Sequence, residues 1–270
     1  MWVNGLRNIW ARREVAVGVW TTSGSPVVVE CLVLTQPDFV IIDAQHGMLG
    51  PDAVRACLMA LARSSVTPLV RTPPCDPAFI GQMLDAGAHG VIVAMVESPE
   101  DARRAVAACR YPPSGERSFG PVRASQSFGR DTASLEREVL CIPLIETALG
   151  VENAEEIARV PGVDAICVGP ADLAISLGMS PAGSPVPGVH ADAIASVREA
   201  CASRGIPSGI PTVDGAAARE MVLQGFSMVS VGSDLQLVGA ACRTQMALAR
   251  EGTAPVPLVE MTEDARPKLY

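Results

Sequence analysis

The sequence has very little lysine: its only lysine, Lys268, lies in the C-terminal tail. No lysine follows any predicted strand, so an aldolase that forms a Schiff base with its substrate would have no nucleophile here. Basic residues form no cluster interleaved with aromatic side chains, and acidic residues outnumber basic ones by 29 to 21. These absences argue against nucleic acid as a partner.

Closely spaced cysteine pairs are absent as well. The 8 cysteines are scattered along the chain, and several lie in apolar segments such as residues 164–168. They are interpreted as reduced thiols in the core of a cytoplasmic protein. The N-terminus alternates apolar and charged residues, which matches neither a signal peptide nor a membrane-spanning helix. We therefore expect a cytoplasmic protein without a membrane partner.

The hydrophobic pattern predicts a single α/β barrel of the (β/α)8, or TIM-barrel, type. With 270 residues, 49% of them hydrophobic, the chain can bury one large core. Short Val/Ile-rich runs alternate with Ala-rich amphipathic stretches, which is typical of repeated βα units. A doubly wound sheet is the less favoured alternative. The predicted strands are residues 15–20, 39–43, 68–71, 90–95, 140–145, 165–168, 206–209 and 228–231. The predicted helices are residues 25–34, 50–62, 76–86, 98–108, 150–158, 191–204, 213–224 and 235–250.

Two connections are longer than usual, residues 110–130 and 180–190, and both are rich in proline and glycine. Both are predicted to follow strand ends that carry chemistry, so both are candidate lids, although 180–190 also fits a plain surface loop. The barrel is assigned to residues 1–252. Residues 253–270 are predicted to form a tail that is mobile or contacts another subunit.

Polar residues gather where the predicted strands end. In a (β/α)8 enzyme the active site is built at the C-terminal ends of the strands, and burying isolated charges there is costly without a ligand. Ser208 is placed at the end of strand seven, where a small residue leaves room for a ligand. The other candidates are Asp43, Gln45 and His46 after strand two, Arg71 after strand three, Glu146 after strand five, and Gly169, Pro170, Ala171 and Asp172 after strand six.

Glu146 and Asp172 are candidate metal ligands. They follow adjacent strands, and no cysteine or histidine is near either in sequence, so a hard cation such as Mg²⁺ or Mn²⁺ fits better than structural zinc. A 2-oxo acid could chelate such a cation through its carboxylate and ketone oxygens. The turn from Gly169 to Asp172 also offers backbone N–H groups to a carboxylate. The alternative is that both acids only cap helices.

Arg71 and His46 are the other candidates for chemistry. Arg71 could hold the ketone oxygen of a substrate and stabilise an enolate, or it could only pair with Asp43 or Glu146. His46 could transfer protons, directly or through water, with Asp43 fixing its tautomer. Of the other two histidines, His89 is predicted to be structural and His190 to be exposed to solvent.

Taken together, these motifs resemble one family, the metal-dependent class II 2-oxo-acid aldolases of the HpcH/HpaI type, typified by 2,4-dihydroxyhept-2-ene-1,7-dioate aldolase. The segments that carry the resemblance are "DFVIIDAQHG", "PLVRTPPCDPAFIGQMLDAGAHGVIVAMVESPEDARRAVAACRYPPSGERSFG", "PLIETALGVENAEEIARVPGVDAICVGPADLAISLG" and "VGSDLQLV". These segments span roughly residues 38–238 in the family's order. Their combination is specific, whereas each alone is not.

The resemblance implies a barrel of the phosphoenolpyruvate/pyruvate-binding type with a divalent cation, Mg²⁺, Mn²⁺ or Co²⁺, held by Glu146 and Asp172. It places Arg71 on the ketone oxygen and assigns proton transfer to Asp43 and His46. Members cleave 4-hydroxy-2-oxo acids reversibly to pyruvate and an aldehyde, in the catabolism of aromatic or sugar acids. They commonly assemble as homohexamers, trimers of dimers, that exchange the C-terminal helix between subunits.

The resemblance also implies that the loop containing Arg123 lies near the active site, which makes Arg123 a secondary candidate for substrate contact. The chain departs from the family at three places. Gln45 replaces a frequent glutamate before the histidine, Leu144 replaces a frequent glutamine, and residues 180–190 could reshape the mouth of the site. The identity of the substrate therefore does not transfer.

Other functions remain open on the sequence alone. The nearest is a CoA-thioester lyase of the citrate or malyl-CoA lyase type, which would need basic residues for the nucleotide phosphates; Arg110, Arg117, Arg123 and Arg130 could supply them. A barrel that binds an oxo acid without catalysis is a second alternative, although the two acids and Arg71 are all present. An enzyme of the phosphoenolpyruvate-mutase type is a third.

Overall fold

A computed structural model describes residues 4–251 of the protein. Within this range, eight parallel strands close into a barrel in the order β1 to β8. The strands are β1 (Ala16–Thr21), β2 (Phe39–Asp43), β3 (Thr67–Thr72), β4 (Gly90–Val93), β5 (Leu140–Ile145), β6 (Ile166–Val168), β7 (Ser208–Thr212) and β8 (Met228–Ser233). The predicted (β/α)8 barrel is therefore confirmed, and the doubly wound sheet is excluded.

Helices connect the strands and surround the barrel. Proline at the first helical position is a frequent device, found at Pro26, Pro51, Pro77, Pro99 and Pro170, because its missing N–H has no intrahelical partner to lose. The helices are α1 (Gly5–Ala11), α2 (Pro26–Leu34), α3 (Pro51–Leu61), α4 (Pro77–Asp85), α5 (Pro99–Cys109), α6 (Ala124–Phe128), α7 (Thr132–Glu138), α8 (Ala148–Glu152), α9 (Ala154–Ala158), α10 (Pro170–Ser176), α11 (Val189–Arg204), α12 (Gly215–Leu223) and α13 (Asp234–Arg250).

The N-terminal helix α1 closes the floor of the barrel, and it was not predicted. Leu6 is fully buried in the apolar cluster that fills the barrel, and Ile9 and Trp10 pack against the same cluster. Asn4 anchors the start of the helix, because its side-chain amide donates hydrogen bonds to the backbone carbonyls of His89 and Glu138. In the described part of the chain, α1 therefore closes the N-terminal end of the barrel.

The predicted boundary of strand seven was wrong. The sequence placed the strand at residues 206–209, whereas β7 runs from Ser208 to Thr212. Pro211 lies inside the strand, where proline weakens the sequence signal because it cannot donate to the sheet. Ser208 thus begins β7 and pairs with Ile166 at the start of β6.

The segment 110–130 does not follow a strand, so its prediction as a lid was wrong for this chain. It follows α5, and a helix in a βα unit returns the chain to the N-terminal end of the barrel. Two ion pairs hold it there: Arg110 with Asp164, just before β6, at 2.9 Å, and Arg117 with Asp85, at the end of α4, at 2.7 Å. Part of the segment forms α6.

The described residues divide into two compact units, one up to Gln236 and one from Leu237 to Glu251. The predicted tail, residues 253–270, lies outside the described residues. All 8 cysteines lie inside the described range and are free thiols; Cys31 and Cys242 are exposed rather than in the core. Among the described helices, none is long and apolar enough to cross a membrane.

Candidate active site

A pocket of about 280 Å³ opens at the C-terminal ends of the strands. It contains the two candidate metal ligands together with Arg71 and Asp43. Its walls come from every strand of the barrel except β4, so it lies over the barrel axis. The lining residues are Trp20, Thr22, Asp43, Arg71, Glu146, Gly169, Pro170, Ala171, Asp172, Gly183, Pro211, Thr212, Val213, Gly232, Ser233 and Gln236.

Glu146 is placed by the end of β5 and by a strained turn after β4. Its side chain is buried, with the residue only 2% exposed. Oε1 accepts a hydrogen bond of 2.8 Å from the backbone N–H of Met95, which adopts a left-handed conformation with φ 56°. A non-glycine residue rarely adopts this conformation, and such strain concentrates at functional sites. Oε2 has no hydrogen-bond partner among the described residues.

The electrostatics of Glu146 favour a bound cation. The pKa of Glu146 is raised to about 7 from its ordinary 4.5, chiefly by burial and also by the neighbouring Asp172. The Met95 N–H and the positive charge of Arg71 act in the opposite direction but do not cancel these effects. Two neighbouring carboxylates, one with a buried oxygen that lacks a partner, are a donor set suited to a hard divalent cation.

Gly169 makes the close approach of these acids possible. Its N–H donates to the Ile145 carbonyl across the β5–β6 register, which puts Gly169 beside Glu146. A Cβ on Gly169 would lie only 2.7 Å from Oε2 of Glu146. Glycine therefore leaves open the space next to the unpartnered carboxylate oxygen. Among the described residues, no group of three or more His, Cys, Asp or Glu is arranged to hold a metal ion.

Arg71 is held from two sides. Its guanidinium donates to both carboxylate oxygens of Asp43, at 2.9 Å and 2.6 Å, and Asp43 and Arg71 are register partners on β2 and β3. The same guanidinium lies over the ring of Trp20, 4.8 Å from its centroid. Trp20 is fixed in turn by Ser230, whose hydroxyl oxygen accepts from the indole N–H at 2.9 Å. The predicted ion pair with Asp43 is confirmed, and it lies in the pocket.

The expected contact between Asp43 and the His46 ring is wrong. Asp43 accepts hydrogen bonds from the backbone N–H groups of Gln45 and His46, at 3.2 Å and 3.1 Å, and from Arg71. The carboxylate therefore shapes the turn after β2 without orienting the imidazole. His46 is exposed, and neither it nor Gln45 lines the pocket of this chain. The side-chain oxygen of Gln45 is buried without a hydrogen-bond partner in the described part of the chain.

The structure does not bring Ser208 and Arg123 to the site. Ser208 begins β7 and therefore lies at the opposite end of that strand from the pocket. Arg123 donates to the Ala86 carbonyl at 2.8 Å and lines a different cavity of about 640 Å³, together with Gly87 and His89. His89, predicted to be structural, is buried, and burial lowers its pKa to about 3.

His190 is buried, so its predicted exposure to solvent is wrong. Its Nδ1 accepts a hydrogen bond of 3.1 Å from the backbone N–H of Val186, which leaves Nε2 to donate to the Pro170 carbonyl at 2.9 Å. The imidazole thus ties the 180–190 connection to the turn that carries Asp172. Gly183, from this connection, lines the pocket and packs against Val213. The insert therefore forms part of the pocket mouth, as predicted.

Several pocket residues were not predicted from the sequence. Trp20 lies on β1 and Thr22 directly follows it, Thr212 ends β7, and Gln236 lies in the first turn of α13, after β8. The same rule that identified Glu146 would have found them, namely their position at strand ends. They are uncharged, whereas Glu146, Asp172 and Arg71 were identified by their charge.

Comparisons with known proteins agree with this geometry. The family model described as HpcH/HpaI aldolase/citrate lyase matches residues 16–241. The hydroxypyruvate/pyruvate aldolase of Rhizorhabdus wittichii is 35% identical over 249 residues, which cover 92% of this chain and 99% of that protein. The 5-keto-4-deoxy-D-glucarate aldolase of Salmonella paratyphi A is 35% identical over 238 residues, covering 86% and 91%. The crystal structure of a family protein from Burkholderia cenocepacia superposes with a TM-score of 0.85 at 33% identity, covering 92% of this chain and 100% of that one.

Proposed function

The chain belongs to the HpcH/HpaI aldolase/citrate lyase family and is a carbon–carbon lyase of the aldolase type, and we propose that a divalent cation held by Glu146 and Asp172 serves its reaction. The substrate class is a 4-hydroxy-2-oxo acid, cleaved reversibly to pyruvate and an aldehyde. The buried, unpartnered Oε2 of Glu146 is the observation that carries this proposal. A bound Mg²⁺, Mn²⁺ or Co²⁺ would supply Lewis-acid polarisation of the oxo acid.

The protein's own side chains and backbone N–H groups would bind the substrate and stabilise the charge that develops on it. Arg71, held in place by Asp43 and Trp20, would hold the ketone oxygen and stabilise the negative charge that develops there when the C3–C4 bond breaks. The N–H groups of Ala171 and Asp172 in the first turn of α10 would face the substrate carboxylate. Gln45 and Asp43 would support this arrangement from the turn after β2.

Proton transfer remains assigned to His46. Because its side chain is exposed and does not line the pocket, it would take the proton of the substrate's 4-hydroxyl through water and exchange it with solvent. Asp43 contributes by holding the backbone of the turn that carries His46. Arg123 lies at the other end of this chain's barrel, so its proposed substrate contact would have to be made in another subunit.

A CoA-thioester lyase is the weaker candidate. Such an enzyme would need basic residues at the pocket mouth for the nucleotide phosphates. Arg110 and Arg117 are instead bound to Asp164 and Asp85 at the N-terminal end of the barrel. A barrel that binds an oxo acid without catalysis is disfavoured by the aldolase relatives.

We also propose a homo-oligomer, a hexamer by analogy with the family, in the cytoplasm. Val238 and Met246 of α13 are each more than half exposed, and exposed Cys242 lies between them at four-residue spacing, so the three share one helix face that suits a contact with a second copy of the chain. The free thiols suit a reducing compartment. Light scattering coupled to size-exclusion chromatography would test the assembly, and a monomer at micromolar concentration would contradict it.

The test of the reaction measures pyruvate release from a set of 4-hydroxy-2-oxo acids. Chelator-treated protein should be inactive, and Mg²⁺, Mn²⁺ or Co²⁺ should restore activity. Glu146→Gln should remain inactive with any of these metals, whereas Glu220→Gln, on the exposed side of α12, serves as the matched control. Full activity in metal-free protein, or in Glu146→Gln, would remove the cation from the reaction.

A further inference from the structure

The pocket has two chemically different sides. The acids follow β5 and β6, and Arg71 lies on β3, so the pyruvyl part of the substrate belongs on the β3–β6 side. In the closed barrel, β7, β8 and β1 form the opposite arc. Carbon 4 of the substrate and everything beyond it therefore extend over this arc. The indole N–H of Trp20 on this arc is engaged by Ser230, and the other pocket-lining side chains that can form hydrogen bonds there are Thr22, Thr212, Ser233 and Gln236.

The arc carries no charge of its own. Among the described residues that line the pocket, the charged ones are Asp43, Arg71, Glu146 and Asp172, so Arg71 is the one cation. Asp43 engages its Nε and Nη2, and the proposed function assigns its remaining donors to the ketone oxygen. Behind the arc lies another carboxylate, Asp234, which is 2% exposed. A second carboxylate on the substrate would therefore enter a region without a cation and near a buried anion.

The hydrogen-bonding groups of the arc match a hydroxyl group better than a carboxylate. The Thr22 hydroxyl donates to Asp234 at 3.0 Å and the Thr212 hydroxyl donates to the Ser230 carbonyl at 2.6 Å, so both present lone pairs to the pocket. A carboxylate can only accept hydrogen bonds, whereas a hydroxyl can also donate one to these oxygens.

Gln236 and Ser233 supply the complementary donors. The side-chain oxygen of Gln236 accepts from the Ser233 N–H at 3.0 Å, which leaves the Gln236 amide nitrogen to donate. The Ser233 hydroxyl oxygen accepts from the Gln236 N–H at 3.4 Å and keeps its own proton for donation. The arc therefore presents donors and acceptors side by side, and all of them are neutral.

Resting on the proposed function, we infer that the aldehyde half of the substrate is uncharged and hydroxylated, and that Gln236 is a specificity-determining residue for it. An aldehyde with a hydroxyl group beyond the carbonyl can donate to Thr22 or Thr212 and accept from Gln236 or Ser233. A carboxylated aldehyde would place its negative charge against the oxygen lone pairs of Thr22 and Thr212. It could not donate the hydrogen bonds that a hydroxyl group donates to them.

The test compares two aldehydes of the same skeleton in the addition direction, with pyruvate and Mn²⁺. One is glyceraldehyde, and the other is the semialdehyde in which its terminal CH₂OH is a carboxylate. We expect kcat/KM to be at least about tenfold higher for glyceraldehyde, because a site built for hydrogen bonds rejects a group that leaves them unpaired. Equal rates, or a preference for the carboxylated aldehyde, would overturn the inference.

The Gln236→Arg variant tests whether the preference for the uncharged aldehyde can be reversed. By placing a cation on the arc, it should shift the ratio toward the carboxylated aldehyde by about tenfold or more. Gln224→Arg adds the same charge at the end of α12, outside the pocket, and should leave the ratio unchanged. If Gln236→Arg folds and shows an unchanged ratio, Gln236 does not determine specificity.

A separate measurement keeps the inference distinct from the proposed function. Metal-dependent exchange of the pyruvate methyl protons with deuterium needs no aldehyde and reports on the β3–β6 side alone. Exchange without the expected aldehyde preference would overturn only the inference. Absence of exchange with every metal would instead count against the proposed function.

Discussion

His190 donates a hydrogen bond of 2.9 Å to the backbone carbonyl of Pro170 from a fully buried position. One residue thereby links the 180–190 connection, which forms part of the pocket mouth, to the turn that carries Asp172. The other ring nitrogen accepts from Val186, within the same connection. The imidazole fixes the wall of the pocket without facing the substrate.

Replacing His190 by alanine should lower the free energy of unfolding by about 2–4 kcal/mol. The change leaves the Pro170 carbonyl and the Val186 N–H without a partner and opens a cavity. Urea unfolding would measure the loss, and limited proteolysis should show faster cleavage within residues 180–188. Val189→Ala, on an exposed neighbour, is the control. A His190→Ala protein as stable as the wild type would show that the link contributes nothing.

Replacing Gly169 by alanine should weaken metal binding by at least about tenfold while the barrel still folds. The new Cβ would overlap Glu146, 2.7 Å from Oε2 and 2.8 Å from its Cβ, so the carboxylate must move. Isothermal titration with Mn²⁺ would measure the change. Gly215→Ala is the matched control, because nothing lies within 4 Å of a Cβ at that position. Unchanged affinity in Gly169→Ala would place the metal elsewhere.

The stability of metal-free protein should fall as pH rises from about 4.5 to about 7. The folded-state pKa of Glu146 is about 7 and its ordinary value is 4.5, so the folded state binds more protons than the unfolded state in this window. The protonated form is the stabilising one, and its contribution, about 3 kcal/mol, is lost as pH passes the folded pKa. Chemical denaturation of wild type and Glu146→Gln across pH 4–8 would measure the difference. If the free energies of unfolding of wild type and Glu146→Gln changed with pH in parallel, the raised pKa of Glu146 would be contradicted.

Arg71→Lys should reduce kcat by roughly 10²–10³-fold, because an ammonium cannot replace a planar fork that bonds both Asp43 oxygens and stacks on Trp20. Asp43→Asn should reduce kcat in the same direction by freeing the guanidinium. Steady-state kinetics would separate kcat from KM. Arg55→Lys changes an exposed arginine paired with Asp52 and should have no effect. A rise in KM alone would assign Arg71 to binding only.

His46→Ala should reduce kcat by roughly 10²–10³-fold if His46 exchanges the substrate proton. Added imidazole should restore part of the activity, because the position is open to solvent. Rates with and without imidazole across pH 5–9 would test both expectations. Wild-type turnover in His46→Ala would require a different base.

The barrel and the charged members of the site were predictable because both follow from simple patterns. Each buried strand is a continuous apolar run, and charge at its end is conspicuous. Glu146, Asp172 and Arg71 were identified in this way, and the structure brings them into one pocket. The neutral members, such as Thr22 and Gln236, follow strands as well but lack a distinctive chemical signal.

The partners of individual side chains were less predictable. Proximity in sequence suggested that Asp43 orients His46, whereas the strand register places Arg71 directly beside Asp43. The burial of His190 depends on a contact with Pro170, 20 residues away, which local patterning does not encode. The end of β7 was misplaced because Pro211 lies within a strand.

Because α1 closes the floor of the barrel, the described structure leaves one route between the active site and solvent. With Leu6 buried beneath the barrel interior, substrate and both products must pass through the same mouth. In the proposed binding mode, the acids and Arg71 hold the pyruvyl fragment, whereas the aldehyde contacts only neutral side chains on the arc of β7, β8 and β1. We therefore expect release to be sequential, aldehyde before pyruvate, so that pyruvate acts as a competitive product inhibitor and the aldehyde as a noncompetitive one.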